Sequence, residues 1–159
     1  MNKRVLIKKI IARLTDELTV YFRAAQFSRA EATHESSKAE SKYDTRGLEA
    51  SYLARGQSKQ AAEIEAAIAE FQKLGAKTLA AGTGIELGAL IELEMAGEKN
   101  FYFLGPRAGG TEIDHDRKVI LVITPQSPLG EQLMGKKSGD RPQLKLGKEM
   151  RPAKILSVR

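Results

Sequence analysis

The residues between 35 and 44 are the part of this sequence whose types and spacing best suit chemistry. Glu35, Glu40 and Asp44 supply carboxylate oxygens, the ligands that Mg²⁺ prefers, and Lys38 and Lys42 stand among them. Such carboxylates can reach a divalent cation, or polarise a water, that is held on another molecule. Glu and Lys at the end of a projecting element also serve simply to keep it in solution. The residues leave both interpretations open.

A second cluster, Asp114-His115-Asp116, is a weaker candidate for metal binding. Three adjacent residues rarely converge on one ion, so the sequence favours a solvated turn between two strands. The chain contains no cysteine, which excludes a thiolate metal site and a disulfide framework. We therefore expect no metal or cofactor that belongs to this protein alone.

Two heptad patterns, one on each side of residues 35–44, predict the elements that position the carboxylates. Apolar or small residues recur at alternating steps of three and four, which is typical of helices that pack along a seam. The seam residues are Ile7, Ile11, Leu14, Leu18, Tyr21, Ala25, Ser28 and Ala32 on the first helix, and Gly47, Ala50, Ala54, Gln57, Ala61, Ile64, Ile68 and Phe71 on the second. Folding the chain back near Ala39 aligns them, so the sequence predicts an antiparallel coiled-coil hairpin.

The side chains of the seam change in size along the hairpin. Ile, Leu and Phe lie near its open end, whereas Ala, Ser and Gly lie toward the tip, where they bury little apolar area. Helices of about 30 residues, at 1.5 Å per residue, would project roughly 45 Å. This length predicts a slender probe with a firm base and the carboxylates at its end.

Composition places the chain among soluble proteins. It has 159 residues, of which 42% are hydrophobic and 29% charged, with a net charge of +6. No run approaches the roughly 18 apolar residues of a membrane span, and Lys8, Lys9 and Arg13 interrupt any signal-peptide core. We therefore expect a cytoplasmic protein that has no membrane partner and is not a dedicated polyanion binder.

After Gly84 the hydrophobic period changes from seven to two, which predicts a mainly antiparallel sheet. The predicted strands are 89–94, 101–104, 119–124, 142–146 and 153–158. One short helix is predicted between them, because Ser127 is a good N-cap, Pro128 suits the first helical position and Gly135 ends the helix. The fold class is therefore α+β, with a hairpin at 1–75, a connector at 76–83 and a sheet domain at 84–159.

The stretch 123–140 resembles the C-terminal signature of a known family. Ile-Thr-Pro-Gln-Ser-Pro-Leu-Gly at 123–130, then Leu-Met-Gly-Lys-Lys at 133–137 and Gly139-Asp140, is similar to the bacterial Gre transcript-cleavage factors, GreA and GreB. With the long hairpin, the resemblance spans nearly the whole chain. It implies an FKBP-like fold for 84–159 and an accessory factor of bacterial RNA polymerase that is not itself an enzyme.

The resemblance also implies how such a factor works. The C-terminal domain docks on the rim of the secondary channel of the polymerase, and the hairpin enters the channel. Its acidic tip then helps to hold the second Mg²⁺ of the polymerase, next to the 3′ end of the nascent RNA, for cleavage of backtracked RNA. Ser127 and Pro128 match the family's Ser-Pro that contacts the rim, and Gln126 stands where the family has Asp.

At the tip the residues depart from the family pattern. Aligning Tyr43 with the family's tyrosine puts Ser36 and Ala39 at the two metal-directed acidic positions, so Glu35 and Glu40 are each displaced by one residue. Glu35 and Glu40 remain the predicted Mg²⁺ ligands, with Asp44 as a third candidate, while Lys38 and Lys42 lower the negative potential. Stimulation of cleavage and a non-cleaving role that blocks or modulates the channel both stay open.

Two further alternatives come from other classes of protein. An FKBP-like prolyl isomerase would use the hairpin to hold its client, but its pocket needs an aromatic lining, and 84–159 holds only Phe101, Tyr102 and Phe103 as aromatics. A self-assembling coiled-coil scaffold would be oligomeric in solution. We expect a monomer instead, with bacterial RNA polymerase as its partner.

Overall fold

The chain begins with two long helices and continues into a six-stranded sheet that carries one short helix. The structure, a computed structural model, describes residues 1–33 and 46–159. The elements are α1 (Lys3–Thr33), α2 (Arg46–Leu74), β1 (Leu90–Met95), β2 (Glu98–Leu104), β3 (Glu112–His115), β4 (Lys118–Ile123), α3 (Pro128–Leu133), β5 (Gln143–Leu146) and β6 (Glu149–Val158). The predicted α+β class, a helical hairpin followed by a sheet with one short helix, is confirmed.

The predicted seam is the buried side of the two long helices. Every seam residue whose side chain the structure describes is buried or half-buried. The buried side chains include Ile7 and Leu14 near the start of α1 and Ala25 further along it, and Ala54 and Ile64 on α2. Their decrease in size toward the 34–45 segment follows the prediction, so most of the apolar burial lies at the base of the hairpin.

The Arg29 guanidinium joins the two helices by donating a hydrogen bond from Nη2 to Ser58 Oγ at 2.9 Å. The residue-by-residue register of the seam stays a prediction. The predicted end of α2 is confirmed, because the helix ends at Leu74 and Gly75 follows with a φ of +59°.

The described chain divides into two compact units. One comprises Met1–Ile11 with Ala69–Arg159, and the other comprises Ala12–Ile68. The division crosses both long helices, whereas the predicted connector, 76–83, follows the end of α2. Within the first unit the Phe71 and Phe103 rings stack with their centroids 6.3 Å apart. The open end of the hairpin thus shares a core with the sheet.

The strands lie in the order β3-β4-β2-β1-β6-β5. Neighbours pair antiparallel except β2 and β4, which run parallel with Phe101 opposite Ile120. The parallel pair arises because β3 forms a hairpin with β4 and turns the chain back alongside β2. The five predicted strands are all present, and the sequence pattern did not predict the parallel pairing.

Strand β3 corrects the prediction of a solvated turn at Asp114-His115-Asp116. Asp114 and His115 end β3, His115 pairs with Lys118, and only Asp116 and Arg117 form the turn, both at positive φ. His115 is 3% exposed, and its Nε2 lies 3.6 Å from Asp116 Oδ2. The four-residue strand was missed because its alternation of Ile113 and His115 is too short to stand out.

One face of the sheet carries a core that supports α3. The buried cluster there comprises Ile85, Ala89, Ile91, Leu93, Tyr102, Leu104, Ile123, Leu133, Leu144, Ala153 and Ile155. Leu133 comes from α3 and is fully buried, so the short helix is anchored by its last residue. In the described ranges 1–33 and 46–159, no helix has the length and apolar character to cross a membrane.

Candidate functional site

The turn that leads from β4 into α3 presents the residues that the sequence assigns to polymerase binding. We call residues 124–128 the Pro128 turn. Ser127 closes it: its backbone N–H donates to Thr124 O at 3.0 Å and its hydroxyl donates to the same oxygen at 2.7 Å. Ser127 Oγ also accepts from Gly130 N at 3.1 Å, which makes it the N-cap of α3, as predicted. Gln126 and Pro128 are exposed on this fixed backbone.

Gly130 allows the turn to close this tightly. A Cβ at that position would overlap the carbonyl oxygen of Thr124 and lie 2.9 Å from Ser127 Oγ. Glycine is therefore required here by the close approach of the backbone, although its φ is not positive. No sequence pattern predicts this role of Gly130, since a glycine inside a short helix gives no sign of a close contact.

The end of α3 is tied to the chain that enters the sheet domain. Gly135 N donates to Ile85 O at 2.9 Å, and Ile85 N donates to Lys136 O at 2.8 Å. Gly135 has a φ of +74°, which confirms its predicted place just after the helix. Gly84 lies so close that a Cβ there would be 2.6 Å from Gly135 O. Both ends of α3 are thus fixed by backbone contacts.

The side chain of Gln132, the fifth of the six residues of α3, ties the helix to the edge strand β5, and no sequence pattern predicted this contact. Gln132 accepts a hydrogen bond from Lys145 N at 2.7 Å and donates to Lys145 O at 3.1 Å. Its amide also donates to Pro128 O at 2.7 Å. No spacing rule would have revealed this contact, because it depends on where β5 lies in the sheet.

A cavity of about 300 Å³ opens beside the Pro128 turn, and we call it the Pro128 cavity. Its lining consists of Gly109, Gly110, Leu121, Val122, Ile123, Ser127, Pro128, Leu129, Lys145, Leu146 and Gly147. Among these described residues only Lys145 is charged and none is aromatic. The arrangement suits an apolar side chain from a partner, and the exposed Lys145 suits an acidic neighbour of that side chain.

The clearest electrostatic feature of the sheet lies away from the Pro128 turn. A hydrogen bond from Lys99 Nζ to Glu92 Oε1, at 3.1 Å, holds the pKa of the Glu92 carboxyl below its usual value. Burial lowers the pKa of Lys3, whose ammonium donates to Gly88 O at 3.0 Å, and burial raises the pKa of Tyr102. The shift at Glu92 therefore reflects a favourable hydrogen bond, whereas the shifts at Lys3 and Tyr102 reflect burial.

The predicted tip residues lie outside the described residues. This holds for the carboxylates Glu35, Glu40 and Asp44 and for the cations Lys38 and Lys42. The structure therefore brings together Gln126, Ser127 and Pro128 and gives no geometry for the predicted Mg²⁺ ligands. Within 1–33 and 46–159, no three His, Asp or Glu residues are grouped in a way that would hold a metal ion.

Solved structures of Gfh1 are similar to this chain. The GreA factor homolog 1 (Gfh1) protein of Thermus thermophilus is 23% identical over 94% of each chain, with a TM-score of 0.38. A further structure of the transcription factor Gfh1 is 25% identical over 95% of this chain and 94% of that chain, with a TM-score of 0.41. Gfh1 of Thermus aquaticus is 26% identical over 92% of each chain, also with a TM-score of 0.41.

No protein-family model and no curated protein match the chain.

Proposed function

We propose that this protein is a Gre-like transcription factor that binds bacterial RNA polymerase at its secondary channel. The sheet domain, with the FKBP-like character that the sequence resemblance implies, docks on the rim, and the hairpin enters the channel. The observation that carries the proposal is the Pro128 turn, which holds Gln126 and Pro128 exposed on a fixed backbone. This turn lies within the stretch 123–140 that carries the resemblance. The protein acts as a cytoplasmic monomer and as an accessory to the polymerase, which performs the catalysis.

The Pro128 cavity supplies the second part of the docking surface. It is open beside Pro128 and lined mainly by glycines and aliphatic side chains. An apolar side chain of the polymerase rim fills it, and the ring of Pro128 packs against the same partner segment. Burial of one such side chain contributes about 1.5–3 kcal/mol, enough to make this small surface the centre of the interface.

Substitution of Pro128 tests the docking surface. Pro128→Ala removes the ring but keeps the helix start, because alanine is tolerated in the first turn. We expect the affinity for polymerase to fall about tenfold, as for the loss of a central interface contact. A titration of labelled protein with purified polymerase core enzyme measures this. Pro152→Ala, at an exposed proline of β6, is the matched control and should leave the affinity unchanged. Equal affinities of wild type and Pro128→Ala would remove this turn from the interface.

The activity of the docked protein depends on the residues at the tip of the hairpin. If Glu35 and Glu40 help to hold the Mg²⁺ of the polymerase, the protein stimulates cleavage of backtracked RNA, and the double change Glu35→Ala with Glu40→Ala abolishes that stimulation. Binding should be preserved, since docking resides in the sheet domain. An RNA cleavage assay on a backtracked elongation complex, with and without the protein, measures the first effect. The titration described above measures the second.

The same assay distinguishes the non-cleaving alternative. A wild-type protein that inhibits cleavage, or that competes with a true Gre factor without stimulating cleavage, is a channel blocker. Lys38 and Lys42 would then be the tip residues to replace next, because their positive charges oppose metal binding by neighbouring carboxylates.

A further inference from the structure

Strand β5 is an edge of the sheet, and one side chain of α3 occupies part of that edge. Edge strands expose backbone N–H and C=O groups that have no neighbouring strand to pair with. At Lys145 both groups bond to the amide of Gln132, the N–H to Oε1 at 2.7 Å and the C=O to Nε2 at 3.1 Å. For this one residue the Gln132 amide takes the place of a neighbouring strand.

The same amide is bonded to the first residue of α3. Gln132 Nε2 donates to Pro128 O at 2.7 Å, so its two N–H donors are divided between Pro128 O and Lys145 O. A six-residue helix is far too short to be stable alone, so its position depends on such contacts. Gln132 thereby links the exposed Pro128 to the backbone of β5 through three hydrogen bonds.

This link spans the two sides of the Pro128 cavity. Ser127, Pro128 and Leu129 line the side that belongs to α3, and Lys145 and Leu146 line the side that belongs to β5. The hydrogen bonds of Gln132 therefore connect the two walls. We propose that Gln132 is a positioning residue of the docking surface, which fixes the width of the cavity without itself contacting the polymerase. This inference rests on the proposed function.

Two substitutions test the role of Gln132. Gln132→Leu keeps the approximate size and removes all three hydrogen bonds. Gln132→Glu keeps an acceptor for Lys145 N but brings carboxylate oxygens against the carbonyls of Pro128 and Lys145. Each should weaken polymerase binding about tenfold, the equivalent of one or two lost hydrogen bonds. Gln143→Glu is the matched control, since it makes the same chemical change at an exposed position of β5 and should leave affinity unchanged.

Hydrogen exchange of the free protein supplies a readout that needs no polymerase. The Lys145 amide should exchange at least about tenfold faster in Gln132→Leu than in wild type, because its acceptor is gone. The Ile155 amide, which bonds to Asp140 O at 2.9 Å, should keep its protection if the fold is intact. If Gln132→Glu does not fold, Gln132→Leu alone decides. Unchanged exchange at Lys145 in Gln132→Leu would overturn the proposed link.

A double-mutant cycle separates positioning from a general loss of stability. If Gln132 acts through Pro128, then Gln132→Leu should weaken binding much less in a Pro128→Ala background than in the wild type. Equal effects in the two backgrounds would overturn the positioning role. Wild-type protein that does not bind polymerase would overturn the proposed function and this inference together. Wild-type binding with undiminished binding by both Gln132 variants would overturn the inference alone.

Discussion

Helix α3 and the middle of the long helices are held in place by different kinds of contact. Helix α3 has six residues and buries Leu133, and its exposed side is fixed by polar contacts: the Ser127 cap, the pairing of Gly135 with Ile85, and the Gln132 amide. Helices α1 and α2 have 31 and 29 residues and bury one apolar stripe each. Polar contacts depend strongly on direction and distance, whereas apolar packing depends mainly on area and volume.

This difference matches what each region must do under the proposed function. A docking surface needs its exposed groups at fixed positions, and directional hydrogen bonds supply that precision at Gln126 and Pro128. A probe needs a stiff base and a narrow far end, which large residues such as Ile64 and small ones such as Ala54 supply. Substitutions around α3 should therefore mainly change binding, and substitutions in the long helices should mainly change stability.

The largest expected effect is at the base of the hairpin. Ile64 is 9% exposed, so Ile64→Ala should lower the free energy of unfolding by about 2–4 kcal/mol through lost burial and an unfilled cavity. Ala54→Ser, at a seam position nearer the 34–45 segment, should cost much less, because a helical serine hydroxyl can bond to the carbonyl four residues before it. Urea unfolding measures both. Similar losses at the two positions would show that apolar burial does not decrease from the base of the hairpin toward the 34–45 segment.

A smaller effect is expected where the backbone approaches closely. Gly130→Ala puts a methyl group against Thr124 O and should destabilise by about 1–3 kcal/mol, as overpacking does. It should also weaken polymerase binding, because the Pro128 turn must open to admit the methyl group.

A glycine in the hairpin provides a matched control for Gly130→Ala, because the same substitution there should raise stability and not lower it. Gly56 lies inside α2, and a Cβ there meets no atom of the described chain within 4 Å. Gly56→Ala should therefore stabilise the helix by about 0.8–1 kcal/mol. A stabilising effect of Gly130→Ala, equal to that of Gly56→Ala, would mean that the turn is looser than its contacts indicate. Urea unfolding of the two variants measures this difference in sign.

Local patterns in the sequence were sufficient for the hairpin and for the ends of α3. The heptad steps depend only on neighbours three and four residues apart, and the seam that they predicted is buried. Ser127, Pro128 and Gly135 act on backbone groups within a few residues, so their roles were also predictable. Their assignment to polymerase binding depends on a partner and stays a prediction.

Contacts between distant parts of the chain were not predictable in the same way. The parallel β2–β4 pairing depends on the short β3, and the Gln132 link to Lys145 depends on β5 lying at the sheet edge. His115 was assigned to a solvated turn, although it ends β3 and is buried. Sequence reasoning failed here because burial and pairing are decided by residues far away in the chain.

The smallest expected effect is the pH dependence of stability, and it also separates the two regions. Lowering the pH should destabilise the sheet, whereas the seam of the hairpin should be unaffected. The described seam of the hairpin contains no carboxylate, whereas Glu92 accepts hydrogen bonds from Lys99 at 3.1 Å and from Ser157 at 3.4 Å. The Lys99 bond lowers the pKa of the folded Glu92, so the unfolded chain binds more protons as the pH falls.

The stabilisation by Glu92 is therefore present above its ordinary pKa of 4.5 and is lost as the pH falls through the lower, folded value. Between about pH 6 and pH 3, the melting temperature of the wild type should fall further than that of Glu92→Gln. The difference is worth at most about 1 kcal/mol, since Lys99 is 60% exposed and the pair is screened by solvent. Lys99→Met, which removes the donor, should flatten the profile in the same way. Parallel profiles for wild type and both variants would show that the pair contributes nothing, and that acid sensitivity does not distinguish the sheet from the hairpin.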